Sequence, residues 1–275
     1  MNKTIIFIKL VSICLCLTFF HHIAHAQFIT NGTATDIGGG CYRMTTLGTG
    51  QVGTIFSNNT IDLSVPFTES GSFNFGTNDA NGADGITFLF TTSSTATGLS
   101  GGGIGFQGIT PSFVVEYDTW VNNDLTDPNS DHVGIVSNGD PNHGTANALV
   151  APINYPNLED GQEHCFDIDW NPGTMTFSMT LDGTTITYNG DISTIMGTSN
   201  VFYGFTASTG GSVNEHVICF SSPTIVPMDD ITICEGETAQ LQADLNGAAY
   251  SWNNGATLSS TSIANPMASP TVTTT

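Results

Sequence analysis

Through residues 27–222, short apolar runs rich in valine, isoleucine, phenylalanine, threonine and tyrosine are separated by polar clusters of glycine, asparagine, aspartate and serine. β-Branched and aromatic residues bounded by turn formers are expected to form strands. Gly85-Ile86-Thr87-Phe88-Leu89-Phe90 and Ser112-Phe113-Val114-Val115-Glu116-Tyr117 are two of them. A third, Thr174-Met175-Thr176-Phe177-Ser178-Met179-Thr180-Leu181, meets Asp182-Gly183 and then Thr184-Thr185-Ile186-Thr187-Tyr188, which is a hairpin signal. No stretch sustains the period of an amphipathic helix. The expectation is one all-β domain, a sandwich or jelly roll, whose length of about 195 residues suffices for a substantial core.

The two ends differ from this middle. Lys3 and Lys9 flank or enter an apolar run that closes on Ala24-His25-Ala26, the pattern of a secretory signal peptide over residues 1–26, cut after Ala26. No later segment approaches the ~20 apolar residues of a membrane span. The mature chain is therefore expected to be secreted and extracellular, free or attached to a cell surface. From Pro223 onward, Ile231-Thr232-Ile233-Cys234, Glu237-Thr238-Ala239-Gln240-Leu241-Gln242-Ala243 and Tyr250-Ser251-Trp252 suggest a second, smaller β unit. Residues 223–275 resemble a linker and the start of an immunoglobulin-like or PKD-like repeat of bacterial surface proteins. The sequence stops where another strand is due, so a longer protein is expected.

Charge narrows the partners. Once residues 1–26 are removed, Arg43 is the only lysine or arginine against 24 aspartates and glutamates. Nucleic acid and anionic membranes are poor partners for such a chain. Aspartates in Asn/Gly-rich stretches suit hard divalent cations with oxygen ligands, although acidity alone also serves solubility. Four cysteines remain, Cys41, Cys165, Cys219 and Cys234, in neither a zinc nor a Cys-x-x-Cys spacing. In an exported chain at least one structural disulfide is expected. Three full pairings are open, with Cys41 to Cys219 preferred because terminal strands often lie together in sandwiches.

The most informative stretch begins on the strand that carries Glu116 and Asp118. Two residues apart, these carboxylates share one face. Beyond them the chain passes Trp120, Asn122 and Asp127 before His132 opens the next apolar run, Val133-Gly134-Ile135-Val136. Two strand carboxylates, a loop carboxylate and an imidazole can converge on one ion, and an oxygen-rich subset can hold another. The alternative for each residue alone is a solvated turn acid or a strand-end histidine.

In residue type and in spacing from Glu116, this stretch resembles the metal loop of L-type (legume) lectins. The resemblance implies a concanavalin-like β-sandwich that binds carbohydrate. It implies a transition metal, usually Mn2+, at Glu116, Asp118, Asp127 and His132. It also implies Ca2+ at Asp118, the Trp120 backbone carbonyl, Asn122 and Asp127, with Asp118 and Asp127 bridging the ions. Gly82-Ala83-Asp84-Gly85 and Gly101-Gly102-Gly103-Ile104-Gly105-Phe106 resemble two further lectin segments. There the Ala83–Asp84 bond would be cis, Asp84 would accept from a sugar hydroxyl, the Gly102 N–H would donate, and Asn122 would donate while its oxygen holds Ca2+. The stretch from Gly204 to Val217 resembles the late strand and specificity loop, where Gly211 and Ser212 are sugar-contact candidates. Trp120 is the candidate stacking aromatic, since Tyr117 points away from Glu116 and Asp118. His216 begins a strand and is assigned no chemistry.

Two other functions were weighed. Jelly-roll glycoside hydrolases also carry a Glu-x-Asp strand motif, but they place a second carboxylate four or five residues after the first Glu. Here Trp120 and Val121 hold those positions, so no reaction is expected. A laminin-G-like structural or protein-binding module could hold calcium without the Asp84, Gly102 and Asn122 combination. Glycans are the expected partners, and multivalency through homo-oligomers or surface display would strengthen weak single sites.

Overall fold

The computed structural model describes residues 28–220 and the short stretches 238–240, 258–260 and 267–269. Two antiparallel sheets account for residues 28–220. The first runs β1 (Phe28–Gly32), β4 (Val52–Ser57), β14 (Asn200–Ser208), β7 (Gly85–Thr91), β8 (Ser112–Asp118), β9 (His132–Ser137) and β10 (Ala148–Asn154), with a short β5 (Ile61–Asp62) against β14. The second runs β13 (Thr184–Asn189), β12 (Thr176–Leu181), β11 (His164–Asn171), β6 (Phe67–Asn74), β15 (His216–Phe220), β3 (Cys41–Thr45) and β2 (Thr35–Gly38). The expected hairpin is β12 and β13, and its turn residues Asp182 and Gly183 both take positive φ, 46° and 82°. One short helix, α1 (Ile192–Met196), is capped by the Asp191 carboxylate, which accepts from the Ser193 N–H at 2.9 Å. Five residues are too few to show a helical period, so the sequence pattern gave no sign of it.

The two sheets use their faces differently. β11 alternates buried and exposed along its whole length, as a strand with one wet face must. β7 and β8 are buried at every position. Phe88 and Phe90 of β7 and Phe113, Val115 and Tyr117 of β8 point into the space between the sheets, where Phe88 stacks on Phe177 of β12 with centroids 5.7 Å apart. Each such aromatic contributes about 1.5–3 kcal/mol by leaving water. The opposite face of the first sheet is covered as well. Phe56, Leu89, Val114 and Val136 there pack against Ile104, Phe106 and Ile109. Those last three belong to the glycine-rich segment, so apolar burial fastens that segment to the sheet. The Thr206 hydroxyl adds a hydrogen bond to the Ile104 carbonyl at 2.6 Å.

Cys41 and Cys219 are cross-strand neighbours on β3 and β15 and form a disulfide, as the sequence reading preferred. Cys165 is exposed and unbridged among the described residues. Ala239–Gln240 and Met267–Ala268 form a small antiparallel pair. The rest of the expected second β unit, Cys234 and the expected signal segment lie outside the described residues. The bridge closes a loop with a sequence separation of 178, so it restricts the unfolded chain strongly. Replacing Cys41 and Cys219 together by serine is expected to cost on the order of 2–5 kcal/mol. Calorimetry checks this, and an unchanged Tm would mean that the bridge adds nothing.

Candidate functional site

Antiparallel register sets Asp118 opposite His132 and Glu116 opposite Gly134. Directly opposed residues present their side chains to the same face. Glu116, Asp118 and His132 therefore rise from the face that also carries Val114 and Val136, away from the main core. Residues 119–131 leave the sheet and return through a single 3₁₀ turn, Asn123–Leu125, which ends at Thr126 with φ 69°. This return brings Asp127 back over the strand ends. The backbone then fixes one oxygen of each of two carboxylates. The Trp120 N–H donates to Asp118 Oδ1 at 2.7 Å, and the Asn122 N–H donates to Asp127 Oδ2 at 2.6 Å. His132 Nδ1 lies 3.2 Å from the Ser130 carbonyl, a partner that favours the proton on Nδ1 and leaves the Nε2 lone pair facing the acids.

Potential ligand atoms of Asp118, Asp127 and His132 lie within 4.8 Å of one another, and so do those of Glu116, His132 and His143. Burial raises the Glu116 carboxyl pKa, with nearby His143 opposing the rise, and raises that of Asp118 well above the usual range, with Glu116 adding to it. Burial likewise lowers the His132 imidazole pKa to about 4. Glu116 Oε1, His132 Nε2 and Asn122 Oδ1 are buried with no hydrogen-bond partner. Among the described residues Arg43 is the only lysine or arginine, and it pairs with Glu215 at 3.2 Å, so none neutralises these acids. A divalent cation fits a donor set of buried oxygens and one imidazole better than protonation does at neutral pH.

His143 is the residue that the sequence reading missed. It lies in the turn-rich segment between β9 and β10, outside the Glu116 to His132 spacing. A histidine embedded among Asn, Asp and Gly just after a strand opened by His132 was the one available signal.

The expected sugar-binding residues converge beside this cluster. The Ala83–Asp84 peptide is cis. The Asp84 N–H donates to the Ser208 carbonyl at 2.9 Å, while its own carbonyl accepts from the Thr119 N–H at 2.9 Å. Asp84 is thus held between the end of β14 and the start of the metal loop. Its Oδ2 is buried without a partner, and burial raises its pKa to about 7. Gly102 packs so tightly on Asn122 that an added Cβ would stand 2.4 Å from the Asn122 Oδ1. The neighbouring Gly101 N–H reaches the Thr209 carbonyl at 3.3 Å, which ties the glycine loop to the loop after β14. Gly211, in that last loop, is exposed with open space around it. Trp120 is a large aromatic left 37% exposed. His216 opens β15 in the interior, 2.7 Å from the Thr45 hydroxyl.

A polar clamp steadies the approach to Asp84. Asn214 Oδ1 accepts from the Asn78 N–H at 3.2 Å, and its Nδ2 donates to Glu159 Oε1 at 2.9 Å. Burial first, then the charge of Asp131, raises the Glu159 pKa to about 8. The folded state therefore holds a proton that the unfolded chain releases near its ordinary 4.5. This contribution to stability is complete below the unfolded pKa and is lost as pH rises through the folded one. Glu159→Gln keeps the acceptor and removes the ionisation. Its Tm is expected to gain on the parent protein between pH 5 and pH 9, and a parallel pair of Tm-against-pH curves would contradict the assignment.

The family model of the legume lectin β-barrel domain matches residues 21–222. The serine-rich adhesin for platelets of Staphylococcus aureus strain MW2 is 30% identical over 224 residues, an alignment that covers 70% of this chain and 10% of the adhesin. For strain MRSA252 the identity is again 30%, over 70% of this chain and 16% of that adhesin. The chain therefore spans a small part of the length of these relatives. Peanut lectin with a nine-residue peptide superposes with TM-score 0.59 at 24% identity, over 71% of this chain and 89% of that one. The lectin from Bauhinia forficata in complex with GalNAc gives TM-score 0.61 at 17% identity, over 70% and 90%. At these identities the superpositions establish the fold.

Proposed function

Since the chain belongs to the L-type (legume) lectin family, we propose that it binds carbohydrate in a calcium-dependent manner as the lectin module, residues 27–222, of a secreted or surface-attached adhesin. One observation carries the reading: the buried acid and imidazole cluster abuts Asp84, Gly102 and Asn122 and, among the described residues, has no lysine or arginine beside it. Asp118, Asp127, Asn122 and the Trp120 carbonyl would hold Ca2+. Glu116, Asp118, Asp127 and His132 would hold a transition metal, for which Mn2+ is the ion the resemblance implies. When bound, the ions supply the positive charge that lets these carboxylates stay ionised in a buried place.

The chain's own groups do the recognition. Asp84 Oδ2 accepts from a sugar hydroxyl. The Gly102 N–H and the Asn122 Nδ2 donate to neighbouring hydroxyl oxygens, while Asn122 Oδ1 is held on the metal side. Trp120 stacks on the apolar face of the ring and Gly211 borders its open side. Binding rather than catalysis follows from the lectin fold and the adhesin-named relatives. The placement of Glu116 agrees with this, since it is 1% exposed and turned toward the metal cluster instead of a cleft.

Galactose and N-acetylgalactosamine are fitting first probes, because lectins of similar fold have been solved with each. Surface display in many copies or homo-oligomers would give weak single sites avidity. An array of immobilised glycans with Ca2+ and Mn2+ present tests the reading. Binding is expected with metal, and chelator is expected to remove it. Asp84→Asn should weaken binding at least about tenfold, because one charge-assisted hydrogen bond contributes about 1.5–3 kcal/mol. Glycan binding that ignores both chelator and Asp84→Asn would overturn the mechanism.

A further inference from the structure

We propose that His143 is an additional protein ligand of the transition-metal site, and that its imidazole makes the site prefer a nitrogen-seeking ion, Zn2+ or Co2+, over Mn2+. This inference rests on the metal cluster described above but goes beyond the ligands that the loop from Glu116 to His132 supplies.

The side chain of His143 is 2% exposed. Its Nε2 lies 2.8 Å from Glu116 Oε1 and 3.8 Å from Asp127 Oδ1, and His132 Nε2 lies 3.8 Å from that same Asp127 oxygen. The two imidazoles thus approach one carboxylate oxygen from two sides, with ring centroids 5.4 Å apart and planes inclined at 73°. The 2.8 Å approach of His143 Nε2 to Glu116 Oε1 is an ion pair when the ring is protonated, whereas with a neutral ring both nitrogens of His143, Glu116 Oε1 and His132 Nε2 have no hydrogen-bond partner. Buried polar atoms are seldom left unpaired. Here three of them, one on each of three residues, gather within coordination reach of a common point.

The position of His143 is built into its surroundings. Its N–H donates to the Leu125 carbonyl at 2.9 Å, so the segment is fastened to the turn of the metal loop. The Thr126 hydroxyl donates to Asn142 Oδ1 at 3.3 Å, and Asn142 Nδ2 donates to the Asp124 carbonyl at 3.3 Å. Gly134 stands opposite Glu116 in the strand register, and a Cβ there would come within 2.6 Å of His143 Cε1. The sheet leaves out a side chain where the ring lies.

Ligand chemistry then decides the ion. Carboxylates with one imidazole suit Mn2+. A second imidazole adds a nitrogen donor that favours ions later in the Irving–Williams order. The calcium ligands include neither histidine, so the Ca2+ ligand set stays complete when His143 is replaced.

The test uses the metal-stripped full chain and its His143→Gln and His143→Ala variants, equilibrated with Ca2+ and equal Mn2+, Co2+ and Zn2+. Bound metals are measured after desalting, and folding is checked by circular dichroism in Ca2+. The parent protein is expected to retain Ca2+ and to take Zn2+ or Co2+ in preference to Mn2+. Both variants should lose affinity for Zn2+ by about tenfold or more, since even outer groups of a metal site change affinity 10–100-fold. X-ray absorption of the Zn2+ form should show two imidazoles in the parent and one in His143→Gln. Equal Zn2+ affinity in parent and His143→Gln, or a single imidazole in both, overturns the role of His143 and leaves the lectin reading standing. Should the parent bind neither Ca2+ nor a transition ion, the metal reading itself falls and this inference falls with it. If His143→Ala fails to fold, His143→Gln decides.

Discussion

Buried negative charge with, among the described residues, no lysine or arginine to meet it is the constraint around which this site is organised. Glu116 and Asp118 are almost wholly enclosed, and Asp127 turns its side chain in beside them. Removing ionised carboxylates from water costs several kcal/mol each unless an opposite charge accompanies them. Arg43, the only arginine of the sequence, sits elsewhere, partly exposed and paired with Glu215. The carboxylates are therefore left to protonation, to the His143 imidazole or to bound cations. With ions bound, the loop from Trp120 to Asp131 gains a rigid centre, and Asn122 and the support of Asp84 are fixed along with it. On the proposed reading, stability, loop order and recognition are coupled, because one charge problem underlies all three.

Why that charge lies where it does follows from the unequal faces of the first sheet. One face joins the aromatic core between the sheets. The other would be exposed apolar surface if Ile104, Phe106 and Ile109 did not cover it. Their packing carries the adjacent glycines over the ends of β7 and β8, where the strand carboxylates emerge. Gly102 then meets Asn122 by contact, with no room for a side chain between them. Apolar burial thus positions the backbone donor, and the metal loop positions the amide and carboxylate groups around it.

Much of this was legible in the sequence, and the parts that were not share a reason. Short runs of β-branched and aromatic residues marked β7, β8 and β12 as strands, and Asp182-Gly183 marked the turn of a hairpin. Glu116 and Asp118 are two apart, so their common face is a consequence of strand geometry alone. His132 opens the next strand, and antiparallel pairing brings it opposite Asp118. These relations pass through one strand or one turn. The place of His143 depends instead on how two loops dock, through Leu125 and Asn142, and no periodicity encodes that. The link from Asn214 to Glu159 and Asn78 is likewise a meeting of three distant segments. The helix at Ile192–Met196 escaped for a simpler reason, its five-residue length.

Asn122 shows why metal and sugar are expected to be coupled. Its N–H is engaged by Asp127, its Oδ1 is buried without a partner beside Gly102, and its Nδ2 remains free to donate. An amide cannot move one end independently of the other, because its oxygen and nitrogen share a rigid plane. Whatever holds Oδ1 therefore aims Nδ2. Asp84 is coupled through the backbone, since its carbonyl accepts from Thr119, the residue that follows Asp118. Displacement of Asp118 on loss of a cation is transmitted through Thr119 to Asp84, and displacement of Asp127 is transmitted to Asn122. Two of the three groups proposed to face the sugar lie one hydrogen bond from a carboxylate proposed to face the metal, or from its chain neighbour. The third, Gly102, is anchored by apolar packing and should stay in place when the ions leave. Metal removal is then expected to dismantle the site from the acceptor and amide side while the glycine loop persists.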